Sequence, residues 1–314
     1  MNSESLINIL ISRYELGAGT RGSSMGFDAL LTEARNSELT VFEDNEYRII
    51  ANSNLSSEHY KDASMEHLEE FVPHYEVLCK ALGESLKDKK RTILISGDHS
   101  NAGGWASALK NTYPNEKCGL IWIDAHGDIH TPYTSPSGNV HGMPIGALLA
   151  LDNAKNKVRE PEVFIQKTWD KLKLTGSLGI SPKFNPEDIY YIDIRDLEDE
   201  EWSIIKNLKI PHFTPEDRKE KGIRHIISSV VDYFKNYDHI YVSFDVDSLD
   251  KELVPVTGTP VENGLQLEEA IEICKAFWNL PNTRVLEFTE INPLLDIKNR
   301  VAKNVVEILK SLKL

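Results

Sequence analysis

GLIWIDAHGD, residues 119–128, decides the fold: an apolar run from Gly119 to Ile123 ends abruptly on Asp124-Ala125-His126-Gly127-Asp128. A short apolar run closed by polar, turn-forming residues is the pattern of a strand buried on both faces. The construction recurs on either side. Thr92 to Ser96 runs into Gly97-Asp98-His99-Ser100, and Ile240 to Phe244 runs into Asp245-Val246-Asp247. Ile189 to Ile194 and Thr283 to Phe288 read as further strands, with earlier ones near Ile7 and Arg48. Between them, Leu68, Phe71, Val72, Tyr75, Leu78, Cys79 and Leu82 fall at three-to-four spacing and predict a helix kinked at Pro73. Helices are also expected over Ala102 to Lys110, Ile223 to Phe234, Leu267 to Phe277 and Val301 to Leu312. Strands alternating with helices specify an α/β fold, a mostly parallel sheet covered by helices.

No internal repeat, low-complexity segment or Gly/Ser/Pro-rich linker divides the chain, so residues 1–314 are expected to form one domain. The polar stretch from Asp152 to Pro186 reads as an irregular surface excursion bordering the site mouth. A hydrophobic share of 40% over 314 residues supports a large core and excludes disorder. Asp and Glu outnumber Lys and Arg by 49 to 35, for a net charge of -14, and no basic run offers a surface for nucleic acid. Cys79, Cys118 and Cys274 are too few and too scattered for a disulfide framework or a cysteine zinc site. No secretion signal follows the short apolar run Ile7 to Ile11, and no apolar run approaches the roughly 20 residues a bilayer requires. The expected location is the cytoplasm, with no membrane partner.

Ligands in open parallel sheets bind beyond the carboxyl ends of the strands, where this chain concentrates metal-binding residue types. Alternate residues of an extended segment share a side, which groups Asp124, His126 and Asp128, and likewise Asp245 and Asp247. With His99 they make two histidines and four carboxylates, a hard N/O set suited to Mn²⁺ and related ions rather than to structural zinc. Four crowded carboxylates repel one another unless cations lie between them, and two divalent ions balance four charges. A lone Asp-x-Asp at a strand end commonly caps the next helix, and Asp98 and Asp250 read as turn or capping residues. Three such strand ends together point to a metal site.

Gly17 to Gly22, Ser96 to Ser100, Asp124 to Pro132, Ser137 to Gly142, Ser243 to Pro260 and Glu290-Ile291-Asn292-Pro293 resemble, in order, the motifs of the ureohydrolases, and of the arginase family most closely. The resemblance implies an αβα sandwich and two manganese ions. One would be held by His99, Asp124, Asp128 and Asp245, the other by Asp124, His126, Asp245 and Asp247, with Asp124 and Asp245 bridging. It further implies hydrolysis of L-arginine to L-ornithine and urea by a hydroxide bridging the two ions. In that scheme Asp128 aims the hydroxide, His141 carries a proton to the leaving amine, and Glu290 pairs with the guanidinium. A homo-oligomer, a trimer or hexamer, is implied as well.

Substrate choice rests on the groups that meet the amino-acid end. Ser137 and Asn139 are similar to the family's carboxylate-binding donors, which favours arginine over agmatine. Several positions depart from the family pattern. His130 stands at a usual Asn, Glu198 at the usual Asp for the α-amino group, Ser96 precedes Gly97, Phe27 replaces Pro, Asn263 replaces Gly, and Pro136 stiffens the loop. The alternatives are another ureohydrolase (agmatinase, guanidinobutyrase or formiminoglutamase) or a non-catalytic arginine- or metal-binding homologue.

Overall fold

The computed structural model describes residues 7–52, 63–88, 90–254 and 258–314. Eight parallel strands form one sheet: β1 Ile7–Arg13, β2 Tyr47–Asn52, β3 Arg91–Ser96, β4 Cys118–Ile123, β5 Ile189–Ile192, β6 His212–Phe213, β7 His239–Asp245 and β8 Thr283–Thr289. Their order is β2-β1-β3-β8-β7-β4-β5-β6. All seven expected strands are present, with ends moved by no more than a few residues, and every pairing is parallel. Only the two-residue edge strand β6 lacked a sequence signal, being too short to have a period.

Along each strand, successive side chains point to opposite faces. Ile93, Ile95, Ile121, Ile123, Val242, Phe244, Leu286 and Phe288 face a core closed by α1 Gly26–Asn36, α9 Ile223–Tyr233, α10 Leu267–Trp278 and α11 Arg300–Ser311. The alternate residues Leu94, Leu120, Trp122, Tyr241 and Val285 face a second core under α3 Leu68–Lys87, α4 Asn101–Thr112 and α5 Pro144–Leu148. Two covered faces explain why the strands read as unbroken apolar runs. Each fully buried Ile or Val contributes about 1.5–3 kcal/mol. The remaining helices are α2 Val41–Asp44, α6 Val163–Lys173, α7 Asp199–Leu208 and α8 Pro215–Lys221. Among the described residues no helix is long and apolar enough to cross a membrane.

The helix predicted around Pro73 runs through it to Lys87. The 152–186 segment corrects the expectation of irregularity, because α6 buries Ile165, Trp169 and Leu172. Its charged outer face hid that spacing. Close approach of α3 and α4 depends on Gly103, where a Cβ would lie 2.5 Å from the Tyr75 ring. Strand β4, next in sequence after β3, crosses over to lie beyond β8 and β7. That change in strand order sets the crevice for the site, and β3, β8, β7 and β4 are contiguous around it.

Candidate metal centre

All six expected ligands gather beyond the carboxyl ends of β3, β4 and β7. His99 follows β3, where Gly97 lets the turn pass the preceding loop: a Cβ there would lie 2.3 Å from the Tyr14 carbonyl oxygen. Asp98 fills the structural role expected of it, accepting from the Ala18 and Ser100 amides at 3.0 Å. Asp250 does likewise, accepting from the Glu252 and Gly264 amides. The grouping of Asp124, His126 and Asp128 has a different origin from strand alternation. Strand β4 ends at Ile123, and Asp128 sits at φ 47°, so a turn brings the three together.

His99 Nδ1 lies 3.0 Å from Asp124 Oδ2, 2.9 Å from Asp128 Oδ2 and 3.1 Å from Asp245 Oδ2. His126 Nδ1 lies 3.1 Å from Asp247 Oδ2 and 3.5 Å from Asp124 Oδ1. Asp124 thus offers one oxygen to each group of donors. The other oxygen of Asp245 accepts the Asp247 amide at 2.9 Å, much as Asp124 Oδ1 accepts the His126 amide at 2.7 Å and Asp124 Oδ2 accepts from Trp122 Nε1 at 3.0 Å. These two sets, His99-Asp124-Asp245 and Asp124-His126-Asp247, have the ligand spacing of metal-binding groups.

The electrostatics fit cations. Burial and the charges of Asp247 and Asp124 hold the Asp245 carboxyl well above the usual carboxylate range, and burial with Asp124 pushes Asp128 up to about 6. Burial also opposes ionisation of Asp124, but His126 and His99 hold it low. Burial disfavours charge on His99 and His126 too, yet the surrounding carboxylates raise both. Without cations, protons must fill the cluster. His99 Nδ1 and Asp128 Oδ2 are buried and make no hydrogen bond despite standing 2.9 Å apart, so the two donors converge on one point instead of bonding to each other. Buried polar atoms left this way are costly unless something lies between them. The donor set and its two orphaned atoms fit a pair of hard divalent ions.

A cleft of about 380 Å³ opens over the donors, and its walls include His130, Ser137, Asn139, His141, Glu198 and Glu290, every expected substrate contact. Glu290, at φ 63° just past β8, accepts the His99 amide at 3.0 Å and lies 3.2 Å from His141 Nδ1. Burial works against charge on His141, but Glu290, Asp128 and Asp98 push its pKa up to about 9. Ser137 Oγ accepts the Asn139 amide at 3.2 Å, which leaves its own hydrogen free to donate into the cleft.

His130 and Glu198, read separately in the sequence, are partners. His130 Nε2 meets Glu198 Oε2 at 3.1 Å, and Nδ1 meets Thr134 Oγ1 at 3.1 Å. The bond to His130 holds the Glu198 carboxyl down at about 2. Sequence reading missed Glu201, which is buried, lines the cleft and lies 3.6 Å from His130 Nε2. It stands in the acidic run Glu198 to Glu201, which looks like a solvated helix start. Its spacing three residues after Glu198, the capping-box position of α7, was the available signal. Asp196 and Thr259, also in the cleft wall, were missed, and Thr259 Oγ1 donates to Asp247 Oδ2 at 3.1 Å. Residues 255–257 of the Ser243 to Pro260 motif lie outside the described residues.

The sequence model described as "Arginase family" matches residues 7–313. The arginase of Bacillus subtilis is 30% identical over 311 residues, covering 98% of this chain and 97% of that protein. Among solved structures, the Entamoeba histolytica arginase in complex with L-ornithine aligns at TM-score 0.82 and 26% identity, covering 98% of each chain. The native arginase of Bacillus caldovelox aligns at TM-score 0.80 and 28% identity, again over 98% of each chain. Formimidoylglutamase from Bacillus subtilis, 17% identical at TM-score 0.71, shares the fold alone.

Proposed function

The chain belongs to the arginase family, and we propose that it hydrolyses L-arginine to L-ornithine and urea with two manganese ions. The observation that carries this reading is the convergence of two groups of His and Asp donors beneath a cleft that contains Glu290, His141, Ser137 and Asn139. His99, Asp124, Asp128 and Asp245 would hold one ion, and Asp124, His126, Asp245 and Asp247 the other. When bound, the two ions supply the positive charge that makes a water nucleophilic near neutral pH.

The guanidinium carbon is cationic and resonance-stabilised, so the chain must hold it in place and manage its protons. Glu290 presents a carboxylate to the guanidinium, a charge-assisted contact that sets the orientation of the carbon. Asp128, buried in the cleft wall beside both donor groups, is placed to hold the attacking water by its proton. His141 stays protonated around neutrality and donates to the departing amine. Ser137 and Asn139 offer donors to the α-carboxylate, which agmatine lacks, and Glu198 and Glu201 offer carboxylates to the α-ammonium group.

The test is kcat/KM for arginine, agmatine, 4-guanidinobutyrate and formiminoglutamate on manganese-loaded protein, with urea or formamide as the product assayed. Arginine is expected to lead, because agmatine leaves the Ser137 and Asn139 donors without a carboxylate to bind. A better rate with another substrate would move the chain to a neighbouring ureohydrolase activity. No turnover of any substrate would favour a binding protein. The same reading expects a homo-oligomer, a trimer or hexamer, measurable by light scattering, and work in the cytoplasm.

A further inference from the structure

One layer below the donors, the central strands carry a buried polar network that the proposed reaction does not use. Its centre is Glu287 on β8, which is 0% exposed. Glu287 pairs in register with Ser243 on β7, so both side chains leave the sheet on the same face. Its carboxylate accepts from Ser96 Oγ at 2.5 Å, Tyr241 OH at 2.7 Å and Ser243 Oγ at 2.9 Å. Trp105 Nε1 donates to Ser96 Oγ at 3.1 Å. On the other side, Ser243 Oγ lies 2.8 Å from His99 Nε2, and the His99 ring stacks on Trp122 at 4.1 Å.

Counting donors fixes the direction of every bond. A carboxylate only accepts, so Ser96, Tyr241 and Ser243 each point their hydrogen at Glu287. The Ser243 oxygen can then only accept from His99, which places the ring hydrogen on Nε2 and leaves the lone pair on Nδ1. Nδ1 is the atom that faces Asp124, Asp128 and Asp245 at 2.9–3.1 Å. Were Glu287 unable to accept, Ser243 could donate to Nε2 instead, and the ring hydrogen would move to Nδ1, where it blocks a metal ion. Ser96, one of the departures from the family pattern, is the hydroxyl that satisfies the second oxygen of this carboxylate.

We propose that Glu287 is a positioning residue for one of the two metal sites: by accepting the Ser243 hydrogen it locks His99 as the Nε2–H tautomer and aims Nδ1 at the ion. The inference deepens the dinuclear reading and rests on it. Glu287 touches neither ion nor substrate. His126 makes no direct hydrogen bond to Glu287, Ser243 or Ser96 and is reached only through the shared carboxylate Asp124, so the larger effect falls on the site of His99.

The test is stepwise manganese binding to metal-free protein, followed by calorimetry and by the spin-coupled electron paramagnetic resonance signal, for the wild type, Glu287→Gln, Ser243→Ala and the double variant. A glutamine amide can donate to Ser243 and reverse the chain. In Glu287→Gln one ion is expected to bind about 10- to 100-fold more weakly, the range for lost partners of a ligating histidine, while the other changes less than about threefold. The coupled signal should give way to a mononuclear one at low manganese. Ser243→Ala should lose the same site, and the double variant should be no weaker than the worse single one, because both cut one chain. Two ions bound with wild-type affinities in both single variants would overturn the proposal, as would equal weakening of both sites or additive losses. If Glu287→Gln does not fold, Ser243→Ala carries the test alone. Wild-type protein that binds two ions but does not hydrolyse arginine would sink the substrate assignment and leave this inference standing.

Discussion

Asp124 is the carboxylate whose two oxygens face two different histidines, so its loss should reach both metal sites. Asp124→Ala is expected to retain less than one manganese ion per chain, and His99→Ala about one of two. Elemental analysis after gel filtration separates these outcomes, and equal metal in both variants would remove Asp124 from its bridging role. Asp245→Ala is the companion test, because Asp245 is the other carboxylate proposed to bridge and its loss should likewise leave less than one ion per chain. His141 lies outside both donor groups, so His141→Asn should keep its metal and lose about 10²- to 10⁴-fold in kcat. With its pKa raised to about 9, His141 is protonated at neutral pH and loses its proton as pH climbs past that value. The wild-type kcat should therefore fall on the alkaline side, and the variant should lack that limb. An unchanged turnover number would return His141 to a loop residue. Glu290→Gln should raise KM and lower kcat together, since a neutral amide cannot balance the guanidinium.

At the scale of elements, α3 carries an acid-sensitive anchor. His74 is buried, stacks on Tyr14 with ring centroids 3.8 Å apart, and meets Asn101 Oδ1 through Nε2 at 2.8 Å. Burial lowers its pKa to about 4. In the unfolded chain His74 takes up a proton near pH 6.5, whereas in the folded chain it stays neutral down to about 4. Between these values the unfolded state binds more protons, so stability falls as pH drops through this window, by about 3 kcal/mol in full. Urea unfolding at pH 7 and pH 4.5 should show a smaller loss in His74→Gln than in the wild type, and identical losses would refute the assignment. Helix α7 also bears on the site, because its start places Glu198 and Glu201 beside His130. His130→Asn should free Glu198 and change KM for arginine far more than kcat.

For the whole molecule, metal and stability are linked. The ions bind folded protein and not the dispersed ligands of the unfolded chain, so manganese at 100 times its dissociation constant adds about 2.7 kcal/mol per site. For a chain of 314 residues, two sites correspond to a melting temperature roughly 8 °C higher with manganese than with a chelator. Calorimetry with no such difference would count against a dinuclear centre. The effect is expected to be whole-molecule because the donors come from the ends of β3, β4 and β7, which bound ions would tie together.

The sequence by itself determined the strands and the set of acids and histidines that gather beyond their carboxyl ends. Strands buried on both faces are largely apolar, and the acids and histidines that end them have no packing role to disguise them. Gly97-Asp98-His99, Asp124 to Asp128 and Asp245-Val246-Asp247 were legible for that reason. Only tertiary structure decided which carboxylate oxygen faces which histidine, that His130 and Glu198 bond to each other, and that Glu201 belongs to the cleft and not to solvent. It also disclosed Glu287, which reads in Thr283 to Phe288 as a stray charge in a strand and becomes the acceptor beneath His99 once β3, β7 and β8 are adjacent. Apolar patterning is written locally along the chain, whereas the partner of a polar atom lies on another strand or helix, and the order of the strands in the sheet chooses it.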